Sequence, residues 1–298
     1  MTTVSITEAT DMGTAAAEGL REILEKSVGR RNIATFAESG SPVPWDALVR
    51  AGWVEIADDS GPDGLSLRDL VEVVRVWGAY CVPLPLVVTL VARRHSAAAR
   101  EYDGPVTLSV PTPQTTAGWG MVPFGQRADI SVLDSFDGGA VRPVPESSAV
   151  HFAPTLEAAE IPGITASTDT AARELAVLWA AEAAGIARTL VTVSVEYTRE
   201  RQQFGKPIGS FQAVKHILAD AHIAAEQSDT AALWAAADQA RAFEVSVHAI
   251  EQAVDVAERA IQVHGGMGFT WEMGLHFYLR HLLTLRDLVS GLAESDRS

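Results

Sequence analysis

From about residue 170 onward, apolar residues recur at intervals of three and four. Ile186, Leu190, Val193 and Tyr197 step by four, three and four, and Phe243, Val247, Ile250, Val254, Ala257 and Ile261 continue the pattern over a longer span. Segments at roughly 171–200, 211–240, 242–263 and 272–290 carry this spacing, and they bury their apolar faces most simply against one another, as a helical bundle. Upstream, helices are expected over Thr14–Lys26 and over Ser66–Tyr80, where Leu67, Leu70, Val71, Val74 and Trp77 share a face. Between them "DDSGPDGLS" (Asp58–Ser66) has turn chemistry, and Ser66 stands where a cap is needed. After Asp103-Gly104 the period changes to two, in Val106–Val110, Ile130–Leu133 and Ala140–Val144. This texture ends near Ile164, which leaves room for a few antiparallel strands. The expected fold is therefore α+β and mainly α: an N-terminal helical domain (1–103), a short antiparallel β domain (104–165) and a C-terminal four-helix bundle (166–298).

The charge balance narrows the partners. With 23 basic and 38 acidic residues among 298, the net charge of −15 disfavours nonspecific binding to nucleic acid or to an anionic membrane. A phosphate-bearing ligand must be held by a local cluster of cations. The single cysteine, Cys81, cannot form an intrachain disulfide, which fits a reducing cytoplasm. No basic stretch followed by an apolar one opens the sequence, and the longest apolar run, Cys81–Ala92, is short and holds two prolines, so neither a signal peptide nor a membrane span is expected.

Two clusters carry candidate chemistry. In the first, Arg201 ends the first bundle helix, Phe204-Gly205 and Pro207 make a tight turn, and Gln212 opens the next helix. A cation at a helix C-terminus is ordinary capping. A guanidinium, an aromatic face and an amide around one turn also suit a pyrophosphate and a ring. The second is "QVHGGMGF" (Gln262–Phe269), where glycine as a plain helix stop competes with glycine that lets a ligand approach the backbone. It is not a dinucleotide fingerprint, because no strand precedes it and no helix starts within the glycines. His216, His222 and Glu226 fall at helical spacings, but paired Glu-x-x-His motifs are missing, so His222 and Glu226 read as a surface pair. Neither G-x-S-x-G nor H-E-x-x-H occurs.

Taken together, "YTRERQQFGKPIGSFQAVKHILAD" and, some fifty residues later, "AIQVHGGMGFTWEMGLHFYLRH" closely resemble the C-terminal bundle of the acyl-CoA dehydrogenases. The likeness extends to "LWAAEAAGIARTL" and, more weakly, to "VPWDALVRAGWVEI". It implies helical, β and helical domains in that order, and FAD whose ADP half is gripped across a subunit interface. Carried over by residue, Arg201 pairs with the pyrophosphate, Phe204 packs on the cofactor, Gln212 hydrogen-bonds it, and the backbone of Gln262, Val263, His264, Gly265 and Gly266 cradles it. The implied reaction is α,β-dehydrogenation of an acyl-CoA thioester, with an electron-transfer flavoprotein or similar acceptor.

Two departures alter that expectation. The family's glutamate base aligns here with Val289, in "LTLRDLVSGLAES", and valine cannot take a proton. Glu174, near an alternative base position in some relatives, is one residue out of register and reads as an exposed acid in a first helical turn; Asp287 is a weaker candidate. The β region also lacks the Thr-Glu-Pro and Gly-Ser-Asp signatures by which relatives hold the flavin ring and the thioester, and "PTPQTTAGWGMVPFG" offers no substitute. The resemblance is thus to short subunits of heterotetrameric (α2β2) dehydrogenases acting on steroid-derived thioesters. There this chain would lend the ADP-side grip and a second acyl-CoA dehydrogenase-like subunit would supply the base and most of the acyl-CoA site. A self-sufficient homo-oligomer using Glu174 and a flavin-free structural subunit are the alternatives. Arg93-Arg94 is a candidate for contact with CoA or a solvated helix end.

Overall fold

A computed structural model of the chain describes residues 6–29, 33–58, 64–115, 118–136, 139–145, 147–150, 152–163 and 169–295. The N-terminal helices are α1 (Asp11–Val28), α2 (Ile33–Ser39), α3 (Trp45–Arg50), α4 (Leu67–Tyr80), α5 (Leu86–His95) and α6 (Ala97–Arg100). Helix α4 begins where the sequence places a cap: Ser66 Oγ accepts from the Asp69 backbone N–H, and the Asp69 carboxylate accepts from Ser66 in return. Asp69 also accepts from Thr10, the N-cap of α1, so one buried carboxylate joins two helix starts. Burial alone would raise its pKa, but the hydrogen bonds from Ser66 and Thr10 outweigh that and hold it below the ordinary carboxylate value. The apolar run around Cys81–Ala92 contributes α5, whose residues Leu86–Ala92 are all buried.

The strands that follow are short: β1 (Val106–Leu108), β2 (Trp119–Val122), β3 (Ser131–Leu133), β4 (Val141–Pro143), β5 (Ser148–Ala149) and β6 (Ala159–Pro162). They form two small sheets, ordered β1-β3-β4 and β2-β6-β5. One pairing departs from the antiparallel expectation, because β1 and β3 run parallel, with Val106 opposite Ser131. Between them the chain crosses into the other sheet as β2 and returns, and such a crossover brings two strands together pointing the same way. The expected limit near Ile164, and the division between 165 and 166, lie outside the described residues.

The bundle consists of α7 (Asp169–Glu200), α8 (Gln212–Ala237), α9 (Ala242–His264) and α10 (Leu275–Ser295), close to the four expected segments. Helix α7 packs against α4, α8, α9 and α10. By length and composition it is apolar enough to cross a membrane, but most of that surface is buried inside the protein. It meets α4 backbone to backbone: a Cβ on Gly78 would overlap the carbonyl of Glu182, and one on Gly185 would overlap the carbonyl of Arg75. Polar ties surround this crossing. Arg188 reaches Asp229 of α8 (3.3 Å), which also pairs with Arg75 of α4 (2.6 Å), and Thr189 Oγ1 donates to the Ala79 carbonyl (2.8 Å).

Below the crossing, the buried His281 of α10 donates through Nε2 to Glu182 (3.2 Å), while its Nδ1 lies 2.9 Å from Thr155 Oγ1 and 3.7 Å from Cys81 Sγ. Burial by itself would lower the imidazolium pKa; the neighbouring Cys81 sulfur and the Glu182 carboxylate reverse this and push it up to about 10.

Two expectations follow. Gly185→Ala forces the α4–α7 crossing apart and destabilises the chain by about 1–3 kcal/mol, read as a lower urea midpoint. Because the His281 pKa is raised above its ordinary 6.5, its contribution to stability is complete below that pH and is lost as pH rises through about 10. The urea midpoint should therefore fall between pH 7 and 10.5, and fall less in the double variant Glu182→Gln/His281→Gln.

Candidate cofactor-binding site

At the end of α7 the chain turns sharply through a hairpin of β7 (Gln202–Gln203) and β8 (Lys206–Pro207), in which Gln202 faces Pro207 and Gln203 faces Lys206. Phe204 and Gly205 form its two-residue turn, with φ of +53° and +78°. This geometry suits glycine or asparagine, and an L-residue in the left-handed region costs roughly 1–2 kcal/mol. Phe204 bears that strain with its ring 91% exposed, so local packing does not account for it. Its nearest ring is Phe211, edge-on at 6.1 Å, and Lys206 Nζ lies 4.3 Å from the Phe211 centroid. Arg201 is exposed and forms no ion pair among the described residues, while its carbonyl accepts from the Ile208 N–H and so closes the hairpin. Gln212 is the first residue of α8 and is also exposed; the preceding Phe211, in the N-cap position, offers no side-chain acceptor. The hairpin thus presents two cations, an amide, an aromatic face and an uncapped helix N-terminus, all of which suit an anionic group joined to a ring. Lys206 was not singled out in the sequence because a lysine beside proline carries no pattern of its own.

The second cluster is the end of α9. Gly265 terminates the helix with φ +60°, and a short 3-10 turn, Gly265–Phe269, follows. Gln262, Gly265 and Gly266 are exposed, and a Cβ built on either glycine would meet nothing within 4 Å, which leaves an open strip of backbone. Val263 and His264 lie differently: both side chains are buried, so these positions can offer a ligand only main chain. His264 Nδ1 donates to the Ala260 carbonyl (2.7 Å), and burial holds its pKa below the ordinary value despite that bond. Its ring stacks on Tyr197 of α7, centroids 4.1 Å apart and planes 22° from parallel. Through this pair the two clusters, far apart in sequence, meet at one end of the bundle. Phe269, 75% exposed, extends the same surface.

The candidate acids and cations fall elsewhere. Glu174 is buried, not exposed: its carboxylate accepts from Arg94 Nε (2.9 Å) and His95 Nε2 (2.8 Å), both carried by α5. Arg94 also donates to the carbonyls of Ala57 and Leu65, and Arg93 to that of Tyr102, so this pair holds the N-terminal helices together and is not a solvated helix end. Val289 is fully buried in α10, and Asp287 pairs with Arg286 (3.1 Å). Glu226 pairs with Arg188 (3.7 Å), where the sequence reading paired it with His222. No metal-binding group of three or more side chains occurs among the described residues.

Between the β region and the bundle, the space enclosed by Leu108, Val110, Phe136, Leu175 and Leu292 is only about 10 Å³, room for a single water at most. The end of α10 closes this junction, since Gly291 packs so tightly on Pro111 that a Cβ would overlap the Pro111 carbonyl.

Residues 163–288 match the family described as the C-terminal domain of acyl-CoA dehydrogenase. The acyl-CoA dehydrogenase FadE34 of Mycobacterium tuberculosis is 33% identical over 267 aligned residues, covering 76% of this chain but 37% of FadE34, so the chain spans well under half the length of that relative. The acyl-CoA dehydrogenase IpdE2 of the same organism is 32% identical over 250 residues, covering 78% of this chain and 76% of IpdE2. In fold, the chain is similar to the ChsE4–ChsE5 complex of Mycobacterium tuberculosis (TM-score 0.78, 20% identity, 98% of this chain and 97% of that one). It is also similar to the Tcur3481–Tcur3483 steroid ACAD (TM-score 0.75, 21% identity, 96% and 95%). The likeness to IpdE2 runs through most of both chains, and the family match spans both clusters at the bundle end; this chain belongs to the acyl-CoA dehydrogenase family.

Proposed function

We propose that this chain is one subunit of a heteromeric, FAD-dependent acyl-CoA dehydrogenase, and that it lends the ADP-side grip on FAD while a second acyl-CoA dehydrogenase subunit supplies the base and the acyl-CoA site. The observation that carries this reading is the contrast between two places in the molecule. The bundle end carrying Arg201, Phe204 and Gln212 is exposed, whereas Val289, where the resemblance puts the base, is fully buried, and the space described between Leu108, Leu175 and Leu292 holds a single water at most.

The residues at the open end fit the ADP half of FAD in charge and in shape. Arg201 and the N–H groups opening α8 suit the pyrophosphate, and Phe204 offers a flat apolar face. The Gln262–Gly266 strip sits at a helix C-terminus, where carbonyl oxygens predominate, and so suits the donor groups of a ribose or an adenine. Bound there, FAD supplies the hydride acceptor for α,β-dehydrogenation. In this arrangement Arg201 and Gln212 transfer no proton; they orient the cofactor toward a reacting centre on the partner. Glu174 is unsuited to act as a base in this chain, because it is buried and two cationic or proton-donating side chains already occupy its carboxylate. The heteromeric assembly and a steroid-derived acyl group are proposed on the likeness to the two-component steroid ACAD. A cytoplasmic setting suits the lone, buried Cys81.

Co-expression with a candidate partner subunit should yield a yellow mixed oligomer, most simply α2β2, while this chain purified alone is colourless; a yellow homo-oligomer would overturn the shared-site reading. In the complex, Arg201→Ala should weaken FAD binding by about ten- to a hundredfold, the range for losing a charge-assisted hydrogen bond. Flavin fluorescence measured during FAD titration checks this, and an unchanged affinity would remove Arg201 from the grip.

A further inference from the structure

We propose that Tyr197 is a positioning residue, whose stack on His264 sets the distance between the Arg201 hairpin and the Gly265-Gly266 strip. The inference rests on the flavin-grip reading above and adds a residue which that reading leaves without a role.

The two halves of the grip belong to different helices, and each begins where its helix stops. Tyr197 is one turn before Arg201, whose backbone N–H donates to the Tyr197 carbonyl (2.9 Å). His264 is the last residue of α9, directly before Gly265. Helix ends fray, because their last turns lack half of their hydrogen bonds, so two motifs carried on helix ends need a tie to keep a fixed spacing. The aromatic stack is that tie, and it is built from both sides. The His264 ring is fixed by its Nδ1 hydrogen bond to Ala260, and the Tyr197 hydroxyl reaches the His264 carbonyl at 3.5 Å. On either side of the stack the next flexible positions, Phe204-Gly205 and Gly265, already have positive φ, so the chain leaves each helix in one defined direction. A ligand that must touch both motifs at once binds more tightly when their separation is set beforehand. Tyr197 itself is half-buried under this stack.

The test titrates FAD into the complex of this chain with its partner subunit, carrying Tyr197→Leu, Tyr197→Phe or Arg201→Ala. Tyr197→Leu keeps apolar bulk and removes the flat ring; FAD binding should weaken by about tenfold, the scale of one lost aromatic pair. Tyr197→Phe should stay within about twofold of wild type, because the stack survives without the hydroxyl. Hydrogen exchange on the chain alone should be faster in Tyr197→Leu at both 201–211 and 264–270, with little change in the urea midpoint, a pattern that general destabilisation does not produce. Should Tyr197→Leu fail to fold, His264→Leu removes the other ring and carries the same expectations. Wild-type FAD affinity in Tyr197→Leu together with weakened binding in Arg201→Ala overturns the positioning role alone. Wild-type affinity in both overturns the flavin grip and the positioning role with it.

Discussion

The backbone contact between α4 and α7 is the constraint on which the rest of the molecule depends. Because Gly78 and Gly185 carry no Cβ, each helix presses on the main chain of the other, and α7 sits deeper than ordinary side-chain packing allows. A run of small residues on α7, including Ala176, Ala180, Ala181, Ala183, Ala184 and Ala187, lets the neighbouring elements close in around it. With its depth set, α7 makes side-chain ties to a different partner about every two turns: Glu174 to α5, Glu182 to α10, Arg188 to α8 and Tyr197, by stacking, to α9. Each tie fixes the rotation of a helix that hydrophobic packing alone would leave free to slide.

The same helix separates two contrasting environments. Around its first turns the chain is closed: Leu175 is buried, Glu174 is neutralised by Arg94 and His95, and α10 seals the junction through Gly291. Around its last turn the chain is open, with an exposed arginine and an exposed phenylalanine held at a costly backbone angle. Strain and exposed aromatic surface at one end of the helix thus stand against a well-filled interior at the other.

Much of this was legible along the chain. The spacing of three and four placed the bundle helices close to their observed limits, and Ser66 marked the start of α4 through its capping chemistry. The strands were harder. Trp119–Val122 and Ala159–Pro162 are four residues each, too few for a period to emerge, and glycine and proline in or beside them read as loop. The parallel pairing of β1 with β3 depends on β2 joining the other sheet, a choice between partners far apart in sequence. Glu174 and Arg94 were misread for one shared reason: each is a charged residue near a helix end, where solvent is the ordinary partner, and their mutual contact exists only because α5 lies across the start of α7.

By itself, then, the sequence determined the helical periods, the two candidate ligand-binding motifs and the valine at the position where the resemblance puts the base, because these depend on residue type and local spacing. Only the tertiary structure decided which of the motif residues are exposed and which, like Val263 and His264, present main chain alone. It also decided that the space between Leu108, Leu175 and Leu292 is filled, and that Tyr197 meets His264 across 67 positions of sequence. Those outcomes depend on how close α7 comes to its neighbours, a distance set by packing in three dimensions and not by any pattern along the chain.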